Sequence, residues 1–265
     1  MFDLSSGMAA LTRMGKDVRI ALGPVADEID FCANRLLASL KEPERAFMRP
    51  FISRRTLAAG EILFEPGDDV TVTYFPCHGA MVSLRITCSD GKDVEAATIG
   101  REGAVGGIVS AGKKPAYARA IVQISGPAYS IPTTKIEDAK CRSPAVHDLF
   151  CRYADALLAQ VMQSVACSAL HAVEQRCARW LLATHDRVGQ STIPLTQEAL
   201  ADMLGVRRTT ISAVAKSLHE RGAIRYVRGR VDIINRKRLL QAACECYESV
   251  EAHFARILPE VDETT

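Results

Sequence analysis

Several features that would assign the chain to a familiar class are missing from its 265 residues. No uninterrupted apolar run reaches the roughly 18 residues that a membrane helix needs, and charged residues interrupt the first thirty positions where a secretory signal would lie. The P-loop, G-x-S-x-G, H-E-x-x-H and dinucleotide-binding G-x-G-x-x-G patterns are absent too. We therefore expect a cytoplasmic protein, without a membrane partner, that is not an enzyme.

Cysteine is abundant, with nine residues, but the patterns that give cysteine a structural role are lacking. The number is odd, the positions are dispersed, and no C-x-x-C pair occurs. Cys244 and Cys246 stand close together without a second pair at zinc-site spacing. We expect reduced thiols that mostly pack in the core, and no metal site.

Charge is unevenly distributed along the chain. The whole sequence carries a net charge of +2, whereas residues 195–238 contain ten lysines and arginines against four carboxylates, a net charge of +6. With 48% hydrophobic and 24% charged residues the chain is expected to fold, and its length allows two modest domains. A concentrated positive segment in such a protein favours a nucleic-acid partner.

The hydrophobic pattern divides the chain into segments. Residues 1–30 have weak periodicity and predict a poorly ordered arm, and residues 31–51 predict a helix. Residues 56–132 contain short β-type segments separated by glycines, which predict a β barrel or sandwich. At 82–87 apolar and polar residues alternate strictly, which predicts a strand with one buried face. Pro144 then opens a long helical pattern that continues to about residue 182.

This long helix has a seam at alternating spacings of four and three. Two interpretations are open on periodicity alone: pairing with a second copy in a parallel dimer, or packing against the chain's own β domain. The seam residues are Leu149, Tyr153, Ala156, Gln160, Gln163, Cys167 and Leu170.

Residues 195–221 predict a helix-turn-helix. Thr196 suits the N-cap of a first helix, Gly205 the left-handed turn after it, and Gly222 the end of a second helix over residues 207–221. A helical wheel buries Ile211 and its neighbours at positions 214, 215 and 218. The first turns of the second helix meet base edges in this motif, so its outward residues are candidate DNA contacts. The candidates are Thr196, Arg207, Arg208, Thr209, Ser212, Ala213 and Lys216, with Arg207 and Arg208 leading.

Two short strands around Gly229 follow and predict a basic hairpin, or wing. Its Arg225, Arg228 and Arg230 are suited to phosphate contacts, which give affinity and register rather than sequence choice. A solvated charged face is the alternative. The order of helix pair, turn glycine and wing favours double-stranded DNA.

These residues resemble the Crp/Fnr family of bacterial transcription regulators over positions 34–234. The resemblance is carried by LTQEALADMLGVRRTTIS at 195–212, EQRCARWLL at 174–182 and IGREGAVGG at 99–107. It implies an α+β fold with a cyclic-nucleotide-binding-like β-roll at 31–143, a dimerisation helix at 144–171, and a winged helix-turn-helix with an extra C-terminal helix at 172–265. It further implies a homodimer on a roughly palindromic operator, with RNA polymerase as a partner.

The resemblance also predicts differences from well-known members. Thr209 and Ala213 stand where those members carry a Glu and an Arg that read a G·C pair, whereas Arg208 and Ser212 match. Thr209 and Ala213 can instead contact the methyl groups of thymines. We therefore expect the chain to recognise a different half-site from that of the well-known members.

The candidate ligand pocket consists of Gly106, Gly107, Tyr117 and Arg119. Gly107 takes the place of the ribose-binding Glu, and the phosphate-binding Arg-Ser pair falls near residues 116–118, with Arg119 displaced. The sequence therefore does not predict classical cyclic AMP binding, although another anionic effector stays open. The sequence also leaves open the alternative of a constitutive regulator whose sensor domain binds no ligand.

Cofactor binding finds little support in the sequence. Only Cys32 precedes Cys77, which disfavours an iron–sulfur cluster of the family's oxygen-sensing type. Cys77 and His78 could ligate haem, but ordinary packing is the favoured interpretation of a single Cys-His pair. The cofactor is left unknown.

Overall fold

The computed structural model describes residues 29–89, 91, 93–109 and 111–258. The predicted N-terminal arm lies outside these residues, apart from Ile29 and Asp30. No helix in the described ranges combines the length and apolarity of a membrane span.

The N-terminal half is a β-roll of two antiparallel sheets. One sheet has the strand order β1-β7-β3 and the other β2-β6-β4-β5. The strands are β1 (Ser53–Leu57), β2 (Ile62–Phe64), β3 (Val72–Pro76), β4 (Met81–Thr87), β5 (Asp93–Ile99), β6 (Arg119–Ile124) and β7 (Gly126–Pro132). Leu57, Val82 and Val122 are buried between the sheets. The predicted β region is thus confirmed, and so is the α+β fold class.

The helix predicted over residues 31–51 is wrong as a single element. It is divided into a 3₁₀ turn at Phe31–Ala33, helix α1 (Arg35–Ala38), helix α2 (Glu42–Met48) and a second 3₁₀ turn at Arg49–Phe51. The buried Asn34 explains the first break. Its Oδ1 accepts from the N–H groups of Leu36 and Leu37, and its Nδ2 donates to two β-roll carbonyls at 2.8 Å. The Asn34 side chain thus caps α1 and anchors it to the β-roll, and the helix does not continue through this position.

Helix α3 (Thr133–Arg142) leads into the long helix α4 (Pro144–Leu170), which lies along the β-roll. Phe150 packs edge-on against Phe75, and the Tyr153 hydroxyl donates to the Ala104 carbonyl at 3.0 Å. The prediction of one helix to residue 182 is wrong. His171 and Ala172 are extended, and α5 (Val173–Val188) begins afterwards with the Gln175 side chain accepting from the Ala172 N–H.

The C-terminal half is a winged helix-turn-helix followed by two short helices. A sheet of order β8-β10-β9 closes over a core that contains Leu181, Ile211 and Val231. The elements are β8 (Thr192–Pro194), α6 (Gln197–Leu204), α7 (Arg208–Glu220), β9 (Ile224–Val227), β10 (Arg230–Ile233), α8 (Arg236–Ala242) and α9 (Cys246–Ile257). The extra C-terminal helix is therefore two helices.

Buried polar contacts join the two halves. Ser83 of β4 and Trp180 of α5 each donate to Glu95 at 2.7 Å, and Arg187 of α5 pairs with Glu102 at 2.7 Å. The alternating strand at 82–87 was expected to bury one face, but Ser83 is also fully buried. The reason is that the C-terminal half covers the other face of β4 through this Ser83–Glu95–Trp180 contact.

Candidate DNA interface and sensor cavity

The helix-turn-helix has the predicted local geometry. Thr196 Oγ1 accepts from the Ala199 N–H at 3.1 Å, and Gly205 has φ +65° and ψ +37°, the left-handed conformation that glycine adopts without steric cost. The inner stripe of α7 is buried as predicted: Ile211, Val214, Ala215 and Leu218.

The outer face of α7 is open to solvent. Arg207 is the N-cap residue and Arg208 the first helical residue, so both guanidinium groups stand at the end that enters a groove in this motif. Ser212 Oγ lies 2.7 Å from Gln197 Oε1, which ties α7 to α6. The exposed residues of this face are Arg207, Arg208, Thr209, Ser212, Ala213 and Lys216. Thr196, the N-cap residue of α6, is exposed beside it.

The wing arginines differ in their surroundings. Arg225 binds the Asp232 carboxylate through two nitrogens at 3.1 and 3.2 Å, and Arg230 lies 4.0 Å from the same carboxylate. The Thr192 hydroxyl and the Arg225 guanidinium hold the pKa of Asp232 below its usual value. Arg228 is exposed at the tip, with φ +28° in the turn before Gly229. Asp232 therefore orients Arg225 in the wing, whereas Arg228 projects from its end.

The predicted dimer seam on α4 is wrong for most of its residues. Leu149, Tyr153, Ala156, Gln160 and Cys167 are buried against the rest of their own chain, so they are not available to a second copy. Gln163 is half-buried and donates to Cys246 Sγ, while Leu170 is exposed. The alternative of packing on the chain's own β domain holds for the N-terminal part of this seam.

A different face of α4 carries exposed apolar side chains. Leu158, Met162 and Val165 are 55%, 58% and 66% exposed, and they follow one another at spacings of four and three residues. Ala169 continues the series and is exposed too. This face, residues 158, 162, 165 and 169, is called the apolar face of α4 below. The two glutamines in the predicted seam were the signal in the sequence against that seam.

The β-roll and α4 line an open cavity of about 540 Å³. Gly106, Gly107 and Tyr117 line it as predicted, and Leu157 and Val161 of α4 form one wall. Other lining residues are mostly apolar, among them Phe64, Leu84, Val105 and Ala120; of the described lining side chains Lys114 is the charged one.

One of the pocket predictions, that for Arg119, needs revision. Arg119 does not line the cavity: its guanidinium pairs with Glu65 at 2.8 Å and Asp93 at 3.2 Å, so it is not presented to an anion inside. Gly107, at φ +57°, lies so close to Thr133 that an added Cβ would stand 2.2 Å from the threonine Cγ2. A ribose-binding glutamate does not fit at this position.

The haem interpretation of Cys77 and His78 gains no geometric support. Burial raises the pKa of the Cys77 thiol to about 12, and its Sγ lies 3.7 Å from the Phe75 carbonyl. His78 Nε2 lies 2.8 Å from an Arg101 guanidinium nitrogen. Both side chains are thus held by neighbours of their own chain.

A set of metal-ligating side chains emerges that the sequence did not predict. Cys167 lies in the last turn of α4 and His171 directly after it, while Cys244 lies between α8 and α9 and Cys246 begins α9; the structure brings all four together. In the sequence, Cys167 and His171 have the i, i+4 spacing of a helix, and Cys244 and Cys246 have C-x-C spacing. The two pairs are 73 residues apart, from His171 to Cys244.

The β-roll, the long helix and the winged helix-turn-helix define the class of fold found in Crp/Fnr regulators. The family model of the Crp-like helix-turn-helix domain matches residues 175–242. A search of curated proteins finds no match.

Several solved structures share this fold over most of the chain. FixK2 from Bradyrhizobium japonicum has 17% identity and a TM-score of 0.62, covering 73% of this chain and 98% of its own. CLP from Xanthomonas campestris, described as a c-di-GMP-responsive global regulator, has 15% identity and a TM-score of 0.58, covering 74% and 100%. A CooA mutant from Carboxydothermus hydrogenoformans has 15% identity and a TM-score of 0.55, covering 78% and 94%. Residues 175–242 thus form a Crp-like helix-turn-helix domain, and the chain as a whole shares the fold of these solved structures.

Proposed function

We propose that the chain is a transcription regulator of the Crp/Fnr type, which binds double-stranded DNA sequence-specifically as a homodimer on a roughly palindromic operator. The observation that carries the proposal is the exposed outer face of α7, which begins with two adjacent arginines and lies next to a basic wing. The face is long enough to reach several base edges, because α7 runs from Arg208 to Glu220.

The residues of this surface divide into two roles. Arg208 has the length and the forked donors to bind guanine, and Thr209 and Ala213 offer methyl groups to thymine. Arg225, Arg228 and Arg230 of the wing supply charge for phosphates, which positions the domain without choosing a sequence. Specificity thus resides in α7 and much of the affinity in the wing.

A competition experiment tests sequence specificity. Labelled fragments of bacterial genomic DNA are incubated with the full chain, and random duplex is added in excess before electrophoresis. We expect a small subset of fragments to stay bound, because specific sites are typically held at least about 10³-fold more tightly than random sequence. Equal displacement of all fragments would contradict sequence-specific binding.

Dimerisation through the apolar face of α4 explains how two reading heads are combined. Three exposed apolar side chains on one helical stripe form the kind of seam that pairs with its own copy across a two-fold axis. The two α7 helices would then lie in successive major grooves, about 10 base pairs apart centre to centre.

The cavity indicates the class of effector. Its lining is mostly apolar, and Arg119 is already paired with two carboxylates, so a small apolar molecule fits better than a cyclic nucleotide. Leu157 and Val161 on its wall adjoin Leu158 and Met162 on the apolar face of the same helix. An occupant that binds one packing of α4 more tightly than another would shift the dimer between two states.

The neutral apolar dye N-phenyl-1-naphthylamine probes this cavity directly. We expect enhanced fluorescence on binding, and a roughly tenfold weaker affinity in Ala118→Trp, whose indole would occupy the cavity wall. Ala111→Trp, at an exposed position outside the lining, is the matched control. If the dye binds both variants and the unchanged protein alike, or if none of them binds it, the constitutive, ligand-free alternative is favoured.

A further inference from the structure

Three cysteines and one histidine converge where α4 ends. Cys167 lies in the last turn of α4, and His171 is the extended residue that directly follows this helix. Cys244 lies in the short link between α8 and α9, and Cys246 is the first residue of α9. The three cysteines are buried and form a cluster separate from the larger hydrophobic cores.

The distances suit a single tetrahedral ion. The four candidate ligand atoms all lie within 4.8 Å of one another; the Cys167 and Cys244 sulfurs are 3.5 Å apart, and Cys246 Sγ is 3.4 Å from His171 Nδ1. With Zn–S bonds of about 2.3 Å and Zn–N bonds of about 2.0 Å, tetrahedral geometry places ligand atoms roughly 3.5 to 3.8 Å apart. An iron–sulfur cluster spreads its thiolates around several iron atoms and needs more room.

The surroundings supply the outer contacts that metal sites use. His171 Nε2 lies 3.1 Å from Glu245 Oε1, so a carboxylate holds the ring nitrogen that faces away from the sulfurs. Gln163 Nε2 donates to Cys246 Sγ at 2.9 Å. A histidine that points one nitrogen at the ligand cluster and the other at a carboxylate is the arrangement that orients imidazoles on zinc.

From this geometry we propose that Cys167, His171, Cys244 and Cys246 form a structural zinc site. Three thiolates and an imidazole are soft ligands that select Zn²⁺ over Mg²⁺ or Ca²⁺. Four protein ligands leave no open position for a substrate, which is the coordination of a structural rather than a catalytic site.

The position of the site gives it a mechanical role. His171 belongs to the two-residue break that separates α4 from α5, so it lies at the junction between the β-roll helix and the DNA-binding half. Helix α9 contacts both sides, because Phe254 packs in the β-roll core and Tyr247 in the helix-turn-helix core. Zinc would fasten α9 to the end of α4 and thereby fix the angle between the two halves.

Metal content of the full chain tests the proposal. The protein is stripped with a chelator under reducing conditions, reloaded with Zn²⁺, desalted and measured by plasma mass spectrometry. We expect about one zinc ion per chain, and a near-complete loss in Cys244→Ser and in Cys246→Ser. Cys88→Ser and Cys141→Ser remove exposed cysteines outside the cluster and should retain the metal. Substoichiometric zinc in the unchanged protein, or full retention in both cluster variants, would overturn the site.

A second measurement does not depend on the ligand variants folding. Co²⁺ added to the stripped, unchanged protein should give the intense visible bands of tetrahedral cobalt with thiolate ligands. Glu245→Gln, which keeps all four ligands, should weaken binding roughly 10-fold. A colourless Co²⁺ complex, or iron with acid-labile sulfide as the bound species, would refute a zinc site. DNA is absent from both experiments, so their outcome is independent of the proposed function.

Discussion

Replacing Met162 by glutamate is expected to convert the dimer to a monomer and to weaken binding to a symmetric operator by roughly 10²- to 10⁴-fold. Met162 lies in the middle of the apolar face of α4 and is 58% exposed in one protomer. In the proposed dimer its side chain meets the second copy, so the variant would place two carboxylates close to the two-fold axis. Burying an unpaired charge, with its twin nearby, opposes association.

The effect on DNA follows from the loss of the dimer. Two linked reading heads bind an operator with an advantage of about 10² to 10⁴ over single heads, because the second contact is intramolecular. A monomer loses that advantage although each α7 surface is unchanged.

Ile62→Glu is the matched control for this variant. Ile62 lies on β2 and is 46% exposed, so the change adds the same charge at a similarly exposed apolar position away from α4. Sedimentation equilibrium gives the mass of each variant, and fluorescence anisotropy gives its operator affinity. A dimeric Met162→Glu protein with unchanged affinity would show that α4 does not pair through this face.

Replacing Arg208 by alanine is expected to reduce affinity for the best operator by roughly 5- to 150-fold, equivalent to about 1 to 3 kcal/mol. Affinity for random DNA should change much less. Arg208 is exposed at the first turn of α7, where a forked guanidinium can bind one base through two hydrogen bonds. The preference at that base position should relax in the variant.

Arg228→Ala serves as the comparison for Arg208→Ala. Arg228 is at the tip of the wing, and its loss should weaken specific and random DNA alike and reduce the dependence of log affinity on log salt by about one unit. Anisotropy titrations at several salt concentrations separate the two patterns. Equal losses on specific and random DNA for both variants would contradict the division between base reading and phosphate binding.

The helix-turn-helix was predictable from the sequence because its determinants are local. Thr196 caps α6, Gly205 adopts the left-handed turn, and the buried stripe beginning at Ile211 has helical spacing. Each of these depends on residues only a few positions apart. Capping rules and periodicity therefore place both helices to within about one residue of their observed ends.

Helix α4 was predicted as a helix but assigned the wrong outward face. Its Tyr153 seam and its Met162 face both repeat at spacings of four and three, so periodicity cannot say which one meets the chain's own β-roll. The Tyr153 hydroxyl settles it by reaching the Ala104 carbonyl, a contact across 49 positions. Long-range packing of this kind carries no local signal.

The sensor and the cysteine cluster show the same limit. Arg119 stands near the expected pocket in sequence, but Glu65 and Asp93, on other segments, bind its guanidinium. Cys167 and Cys244 are far apart in the chain, and their sulfurs come close together only when α9 packs along α4. Neither arrangement follows from spacing, because both depend on tertiary contacts.

Selection of bound sequences from random double-stranded DNA tests the central claim most directly. The full chain is incubated with a random library, bound duplexes are amplified through several rounds, and the enriched sequences are aligned. Two copies that read DNA through α7 should enrich an inverted repeat whose half-sites are centred about 10 base pairs apart. A library that stays random after selection, or an enriched site without two-fold symmetry, would contradict a sequence-specific homodimer.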